Sequence, residues 1–244
     1  MRQQAENVGA RFILSSVSAL SKTGEHEFTL QLDNEKQLKT KSVIVATGAS
    51  ALTLALPSKE KLMGYGLSTC AVCDGFFYKN KKVAVVGGGD SAMEEALYLA
   101  KLASSVTLIH RKDKFKASKA MQEKVFAHPK IEIIWNTEVV DTTANEKGLT
   151  GIILKNLHDN QLKTREVDGL FMAIGHHPNT EFLKGFVPLD ESGYVLTAYG
   201  TATSVPGVFA AGDVEDKIYR QAITSAGRGC QAALQVEKYL EGLS

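Results

Sequence analysis

The stretch Lys82–Ala92, KVAVVGGGDSA, limits the fold of this chain more than any other. Lys82 to Val86 reads as a short buried strand, and it passes directly into Gly87, Gly88 and Gly89. Beyond the glycines, Met93, Ala96, Leu97 and Ala100 recur at i, i+3, i+4 and i+7, the mark of a helix with one apolar face. Ser91 with Glu94 makes a capping-box pattern at its start. Val106–Ile109 is the next buried strand. A strand ending in Gly87-x-Gly89-x-x-Ala92 before a helix suits a dinucleotide pyrophosphate: glycines let backbone approach the phosphates, and the helix N-terminus offers free N–H groups. The plain alternative is a structural turn, which needs no complete strand–loop–helix–strand unit. No Gly-Lys-Ser/Thr follows, so this is not a Walker loop. Gly87, Gly88, Gly89, Asp90, Ser91 and Ala92 are therefore candidate cofactor contacts.

In an NAD site the second strand of such a unit ends near an acid that binds the ribose 2′-hydroxyl. Here it ends in His110-Arg111-Lys112, with Lys116 a little further on. Basic groups at that point suit a 2′-phosphate through charge-assisted hydrogen bonds, which favours NADPH over NADH. A solvated charged turn, with Asp113 in its midst, is the bland reading.

Just before the strand lies a Cys-x-x-Cys pair, Cys70 and Cys73, followed by Asp74. Two thiols at this spacing can close a disulfide and hold two electrons. A zinc site would need two further ligands at similar spacing, and none is evident. In a thioredoxin-type module the pair would sit at a helix N-terminus after a strand, whereas here a strand follows it. The third cysteine, Cys230, reads as a small buried apolar group. Asp74 is either an acid that exchanges a proton with a thiol or a cap for the next turn. A disulfide beside a dinucleotide unit suggests electrons passing from a nicotinamide to the dithiol.

The totals exclude other classes. Twenty-eight basic against 27 acidic side chains leave no basic stripe for nucleic acid. No apolar run is long enough to span a membrane, and the N-terminus has no signal-peptide apolar core. Three cysteines, two of them in one motif, fit a cytoplasmic redox protein better than a secreted disulfide framework.

Along the chain, residues 1–10 read as the end of a helix, and Phe12–Leu14, Glu27–Leu32 and Gln37–Lys41 as strands. Ser42–Ala46 reads as a strand buried on both faces, leaving through Thr47-Gly48. Residues 49–65 have no clear period and read as a linker. A helix is expected over Ser118–Ala127, and strands over Ile131–Trp135, Glu138–Thr142, Leu149–Asn156, Gln161–Val167 and Leu170–Ile174, several in hairpins. The cluster Gly175–Asn179 marks a second boundary. Beyond it come a weak strand at Tyr194–Leu196 and a strong one at Val208–Ala211. A closing helix from Arg220 shows an apolar face of Ala222, Ile223, Ala226, Cys230, Ala233 and Leu234.

Five ordered motifs, CAVCDG, KVAVVGGGDSAMEEALYLA, LIHRKDKFKA, AIGHHPN and PGVFAAGDVEDKIYRQAITSAGRGCQAA, resemble the bacterial low-molecular-weight thioredoxin reductases over nearly the whole chain. The resemblance implies an α/β fold of two Rossmann-like domains, with an NADPH domain inserted into an FAD domain. Residues 1–50 and 180–244 would form the FAD-binding parts, and 51–179 the NADPH and redox-disulfide domain. It also implies a homodimer and thioredoxin, or a thioredoxin-like protein, as acceptor. Cys73 would be the thiol beside the flavin, Cys70 the one that exchanges with thioredoxin, and Asp74 the acid. Thr47, Gly48 and Ala49, with Gly212, Asp213, Val214, Arg220, Gln221 and Ala222, match segments that line FAD. His110, Arg111, Lys112 and Lys116 match the NADPH-phosphate segment, with lysine in place of arginine at Lys112 and Lys116. Lysine holds phosphate as a point charge rather than through a planar fork.

The family opens with a strand and G-x-G-x-x-G loop that cradle the FAD pyrophosphate. The first fifty residues here contain only Gly9, Gly24 and Gly48, and no G-x-G. The expectation is an FAD domain incomplete at its front end and an impaired thioredoxin-disulfide reductase. The alternative is a non-catalytic NADP-binding fragment that cannot hold FAD.

Overall fold

The computed structural model describes residues 1–243 of the chain. It forms two compact units: one continuous, Ala51–His176, and one built from Met1–Ser50 and the chain from His177 onward.

The continuous unit is built on a five-stranded sheet in the order Leu67–Ser68, Gly169–Met172, Lys82–Val86, Ser105–Ile109, Ile131–Ile134. Every pairing in it is parallel. Parallel strands need crossovers, supplied here by the helices Asp90–Ala100 and Lys119–Phe126. Both faces of the sheet are covered, which is why its strands are apolar throughout rather than alternating. Val83 and Val85 meet Met93, Ala96 and Leu99 of the first helix on one face. Ala84, Ile109 and Leu170 meet Val139, Ile152 and Leu154 on the other. Those last residues belong to an antiparallel meander, Thr137–Asn145, Gly148–Asn156 and Leu162–Glu166.

In the discontinuous unit, Val17–Gly24, Glu27–Leu32 and Gln37–Thr40 form an antiparallel meander. Val43–Val45 pairs in parallel with Val208–Ala210. Phe28, Val45, Leu183, Val208 and Val214 share its main core. A second cluster seats the long helix Ala222–Glu241 through Ala232 against Phe209 and Ala211. Among the described residues no helix is long and apolar enough to cross a membrane.

Several sequence expectations are corrected. Phe12–Leu14 is not a strand and is exposed; the first strand begins at Val17, where it finds its antiparallel partner in Glu27–Leu32. Ser42–Ala46 is not buried on both faces: Ile44 is 39 % exposed, while Val45 points into the core. Residues 49–65 are not a linker, because Leu56 and Leu62 anchor them in the core beneath the sheet. Tyr194–Leu196 makes only a single bridge, Val195 to Leu189. The apolar face read from the last helix is the solvent face: Ile223 is 80 % and Leu234 61 % exposed, and Cys230 is exposed as a free thiol. Ser91 does not cap its helix. Gly89 is the N-cap, without a side-chain hydrogen bond.

Candidate functional site

The parallel sheet places the glycine loop at the carboxyl end of strand Lys82–Val86, where ligands of open α/β sheets bind. Close approach requires glycine at two of its positions. A Cβ on Gly87 would lie 2.4 Å from the carbonyl oxygen of Ala173 and 2.5 Å from the Ala92 methyl. A Cβ on Gly88 would lie 2.1 Å from the His110 ring. Gly89 has open space around it. With no side chain capping the helix that follows, its first N–H groups remain available to an anion. The missing capping box is thus a feature of the site.

The basic turn is tied to this loop. His110 is buried, flanked by Phe115 and Trp135 at ring separations of 5.3 and 6.1 Å, and its Nε2 lies 3.1 Å from the Lys114 carbonyl oxygen. Burial pushes its pKa below the usual value, and the nearby charges of Arg111 and Lys112 push the same way. Hydrogen bonds to backbone at Lys114 and Gly87 act the other way without outweighing burial, and the ring packs beneath Gly88. The backbone N–H groups of Lys116 and Ala117 donate to the Gly88 carbonyl at 2.7 and 3.2 Å. Asp90 Oδ1 accepts from the Ser118 N–H at 3.0 Å and hydroxyl at 2.7 Å. The Ser118 hydroxyl, seconded by its N–H, holds the Asp90 carboxyl below its usual pKa. Arg111, Lys112 and Lys116 are exposed. Among the described residues, the ion pairs of this unit are Lys59–Glu60, Lys82–Glu166 and Arg165–Glu132, which leaves those three cations free for an anion.

Cys70 and Cys73 are joined by a disulfide, with Cα atoms 5.3 Å apart, around the short helix Ala71–Asp74. The Cys73 N–H donates to Cys70 Sγ at 3.2 Å. Ala71 is buried in the core shared with the helix Asp90–Ala100. A Cβ on Gly75 would touch Tyr98 at 3.1 Å and Leu99 at 3.2 Å, so glycine lets the dithiol turn sit directly on that helix. Asp74 accepts the Ser68 hydroxyl at 2.7 Å rather than capping the next turn. Cys73 is exposed and Cys70 half-buried. Val72, Phe76 and Phe77 stand exposed around the pair.

In the other unit, Thr47–Ala49 and Gly212–Val214 leave the carboxyl ends of two paired parallel strands. Gly48 and Gly212 adopt φ of +69° and +83°, a region open mainly to glycine. Asn179 clamps the first turn through four hydrogen bonds. Its N–H donates to Gly48 O at 3.0 Å and its amide to Thr47 O at 2.9 Å. It accepts the Thr47 hydroxyl at 2.7 Å and the Ser50 hydroxyl at 3.1 Å. Asp213 accepts the Ser225 hydroxyl at 2.9 Å. Val214 is fully buried and belongs to the core. Asp216 gathers the N–H groups of Ile218 and Tyr219 at 3.0 and 2.9 Å, which shapes the approach to Arg220, Gln221 and Ala222. Burial acts to raise the Asp216 pKa, but the donors outweigh it and leave the carboxyl below its usual range. Thr224 turns back on Gln221, donating to its carbonyl at 2.8 Å.

Asn179 and Ser68 escaped the sequence reading. An Asn after Pro178 signals a turn whose side chain bonds backbone, so its clamp had a visible cue; Ser68 had none.

The pyridine nucleotide-disulphide oxidoreductase profile matches residues 3–229. The thioredoxin reductase of Coxiella burnetii is 46 % identical over 252 aligned residues, covering 100 % of this chain and 78 % of the relative. That of Streptomyces coelicolor is 48 % identical, covering 100 % of this chain and 76 % of the relative. The crystal structure of thioredoxin reductase from Streptococcus pyogenes superposes with a TM-score of 0.93 at 34 % identity, covering 98 % of this chain and 78 % of that one. With its dithiol turn seated on the helix of a glycine-loop α/β unit, and with these relatives, the chain belongs to the thioredoxin reductase family.

Proposed function

We propose that this chain serves NADPH-dependent, FAD-mediated reduction of a thioredoxin disulfide through the Cys70–Cys73 pair, in the cytoplasm and as a homodimer, with its flavin step impaired because residues 1–50 hold no G-x-G loop for the FAD pyrophosphate. One observation carries the reading: the Cys70–Cys73 disulfide is packed, through Ala71 and Gly75, on the helix that the glycine loop opens. The residues present fit a dinucleotide with a 2′-phosphate. A cradle that a Cβ would fill and an uncapped helix start are tied to the turn that carries three unpaired cations, through His110 beneath Gly88 and the Lys116 and Ala117 N–H bonds to the Gly88 carbonyl. Thr47, Gly48 and Ala49, with Gly212, Asp213 and the Arg220–Ala222 turn, would hold the flavin. A bound flavin supplies the link between hydride chemistry and thiol exchange.

The protein's own groups have separable tasks. Arg111, Lys112 and Lys116 bind the 2′-phosphate. Cys73 accepts the incoming electron pair, opening the disulfide and releasing Cys70 as a thiolate. The Cys73 N–H aimed at Cys70 Sγ favours that thiolate. Cys70 then attacks one sulfur of the thioredoxin disulfide. Cys73 attacks Cys70 in the mixed disulfide, re-forming the Cys70–Cys73 bond and releasing the thioredoxin dithiol. Asp74, fixed by Ser68, relays the proton. A protein acceptor is supported by the exposed Phe76 and Phe77, and by a groove of about 890 Å³ lined by Tyr65, Phe77 and Lys81.

The test is NADPH consumption by the full chain with added FAD and oxidised thioredoxin. Consumption should depend on thioredoxin, and Cys73→Ser should abolish it while leaving NADPH binding within about twofold, since the thiol lies on a separate element from the glycine loop and the basic turn. NADPH binding without consumption in the unsubstituted chain would leave a nucleotide-binding protein and reject the reductase reading.

A further inference from the structure

We propose that Asp90 is a positioning residue that latches the basic turn onto the glycine loop and thereby sets the preference for NADPH over NADH. The inference rests on the assignment of Arg111, Lys112 and Lys116 to the 2′-phosphate. Asp90 is the first residue of its helix, yet the strongest bonds of its carboxylate are not to that helix. It reaches instead to Ser118, 28 residues on, and accepts both the N–H and the hydroxyl there. Ser118 is the N-cap of the helix Lys119–Phe126 and caps it with no side-chain bond, so its hydroxyl is committed to Asp90. Lys116 and Ala117 bond Gly88 from the same side.

The span carrying the cations is thus held at both ends. His110 is buried beneath Gly88 at its entry, and Ser118 is fastened to Asp90 at its exit. Between them the backbone is fixed while the side chains of Arg111, Lys112 and Lys116 stay exposed. Fixing the backbone lowers the ordering cost of gathering several flexible cations on one phosphate. A carboxylate beside an anion-binding helix start repels a phosphate, so direct ligation by Asp90 makes little chemical sense, and hydrogen bonding to Ser118 explains its presence. NADH uses the glycine loop but has no 2′-phosphate, so loosening the latch falls selectively on NADPH.

The experiment titrates NADPH and NADH separately into the full chain and its variants, following bound-nucleotide fluorescence. Asp90→Ala should weaken NADPH about tenfold and NADH less than about twofold, the size expected when a charged acceptor and two hydrogen bonds are lost from a supporting contact. Ser118→Ala, which removes only the hydroxyl bond at an exposed position, should cost NADPH about threefold. Asp90→Asn keeps an acceptor oxygen but no charge, and should retain the NADPH preference. Retained NADH binding reports an intact fold; if Asp90→Ala does not fold, Ser118→Ala and Asp90→Asn carry the decision. Equal losses for both nucleotides, or an Asp90→Asn variant that loses the preference, would assign the carboxylate to helix-end electrostatics and overturn the latch. An unsubstituted chain that binds both nucleotides equally would overturn the 2′-phosphate assignment itself, and the latch with it.

Discussion

Gly88 and Gly89 are neighbours in one loop but are glycine for different reasons. At Gly88 a side chain would enter the His110 ring, which cannot yield because Phe115 and Trp135 flank it. Gly88→Ala should therefore cost about 1–3 kcal/mol of stability, as overpacking does. Gly89 is extended, with φ −99° and ψ −179°, and has open space around it. Gly89→Ala should cost at most about 1 kcal/mol, the N-cap preference for glycine over alanine, while placing a methyl group where a pyrophosphate approaches. Urea denaturation and NADPH titration on both variants check the pair: the first should lose mainly stability, the second mainly affinity. The three glycines were legible as a loop, but their division of labour was not. It depends on His110, whose neighbours in sequence are charged and whose ring nevertheless turns inward. A basic tripeptide at a strand end reads as surface, and only the packing of Phe115 and Trp135 over the ring makes its first member part of the interior.

The helix Ala222–Glu241 shows the limit of periodicity as evidence. Its most apolar stripe faces solvent, and its packed side joins Ala232, Val236 and Tyr239 with polar contacts. Arg228 pairs with Glu215 at 2.5 Å and donates to Gly200 O at 2.8 Å. Gln235 accepts the N–H of the fully buried Thr201 at 2.8 Å. Small residues such as Ala and Gly mark close approach or open surface equally well, so the stripe could not say which face is inward. Gln235→Ala strands the Thr201 donors in the interior and should destabilise the protein by about 1–3 kcal/mol. Leu234→Ala, one position away on the exposed side, should stay within about 0.5 kcal/mol. Urea midpoints on the two variants decide. Elements with both faces covered were far easier to read. The strands Lys82–Val86, Ser105–Ile109 and Gly169–Met172 are continuous apolar runs because helices lie over one face and a meander over the other.

At the scale of the whole molecule, the chain enters the unit Ala51–His176 once and leaves it once. Both of that unit's hydrophobic clusters are made only from its own residues. An excised Ala51–His176 fragment should fold cooperatively and bind NADPH within about threefold of the full chain, as expected for a segment with a complete core. Circular dichroism melts and nucleotide titration check this, and a fragment without a cooperative transition would show that its core is not self-sufficient. The Gly/Pro/Asn cluster Gly175–Asn179 was a local cue to a boundary in the sequence, whereas the pairing of Val43–Val45 with Val208–Ala210 lay beyond the reach of local patterns. The same long-range pairing matters while the chain is being made. As the nascent chain leaves the ribosome, Val43–Val45 emerges long before Val208–Ala210 exists. The intervening unit can fold in that interval, and its two ends then meet, with the Leu52 N–H 2.9 Å from the Gly175 carbonyl oxygen. The waiting strand is thereby left only short flanks to close instead of a long floppy insertion. The equilibrium gain is small, since each doubling of a loop costs only about 0.6 kcal/mol. The gain in time is larger, because an unpaired strand that finds its partner sooner has less opportunity to find a neighbouring chain.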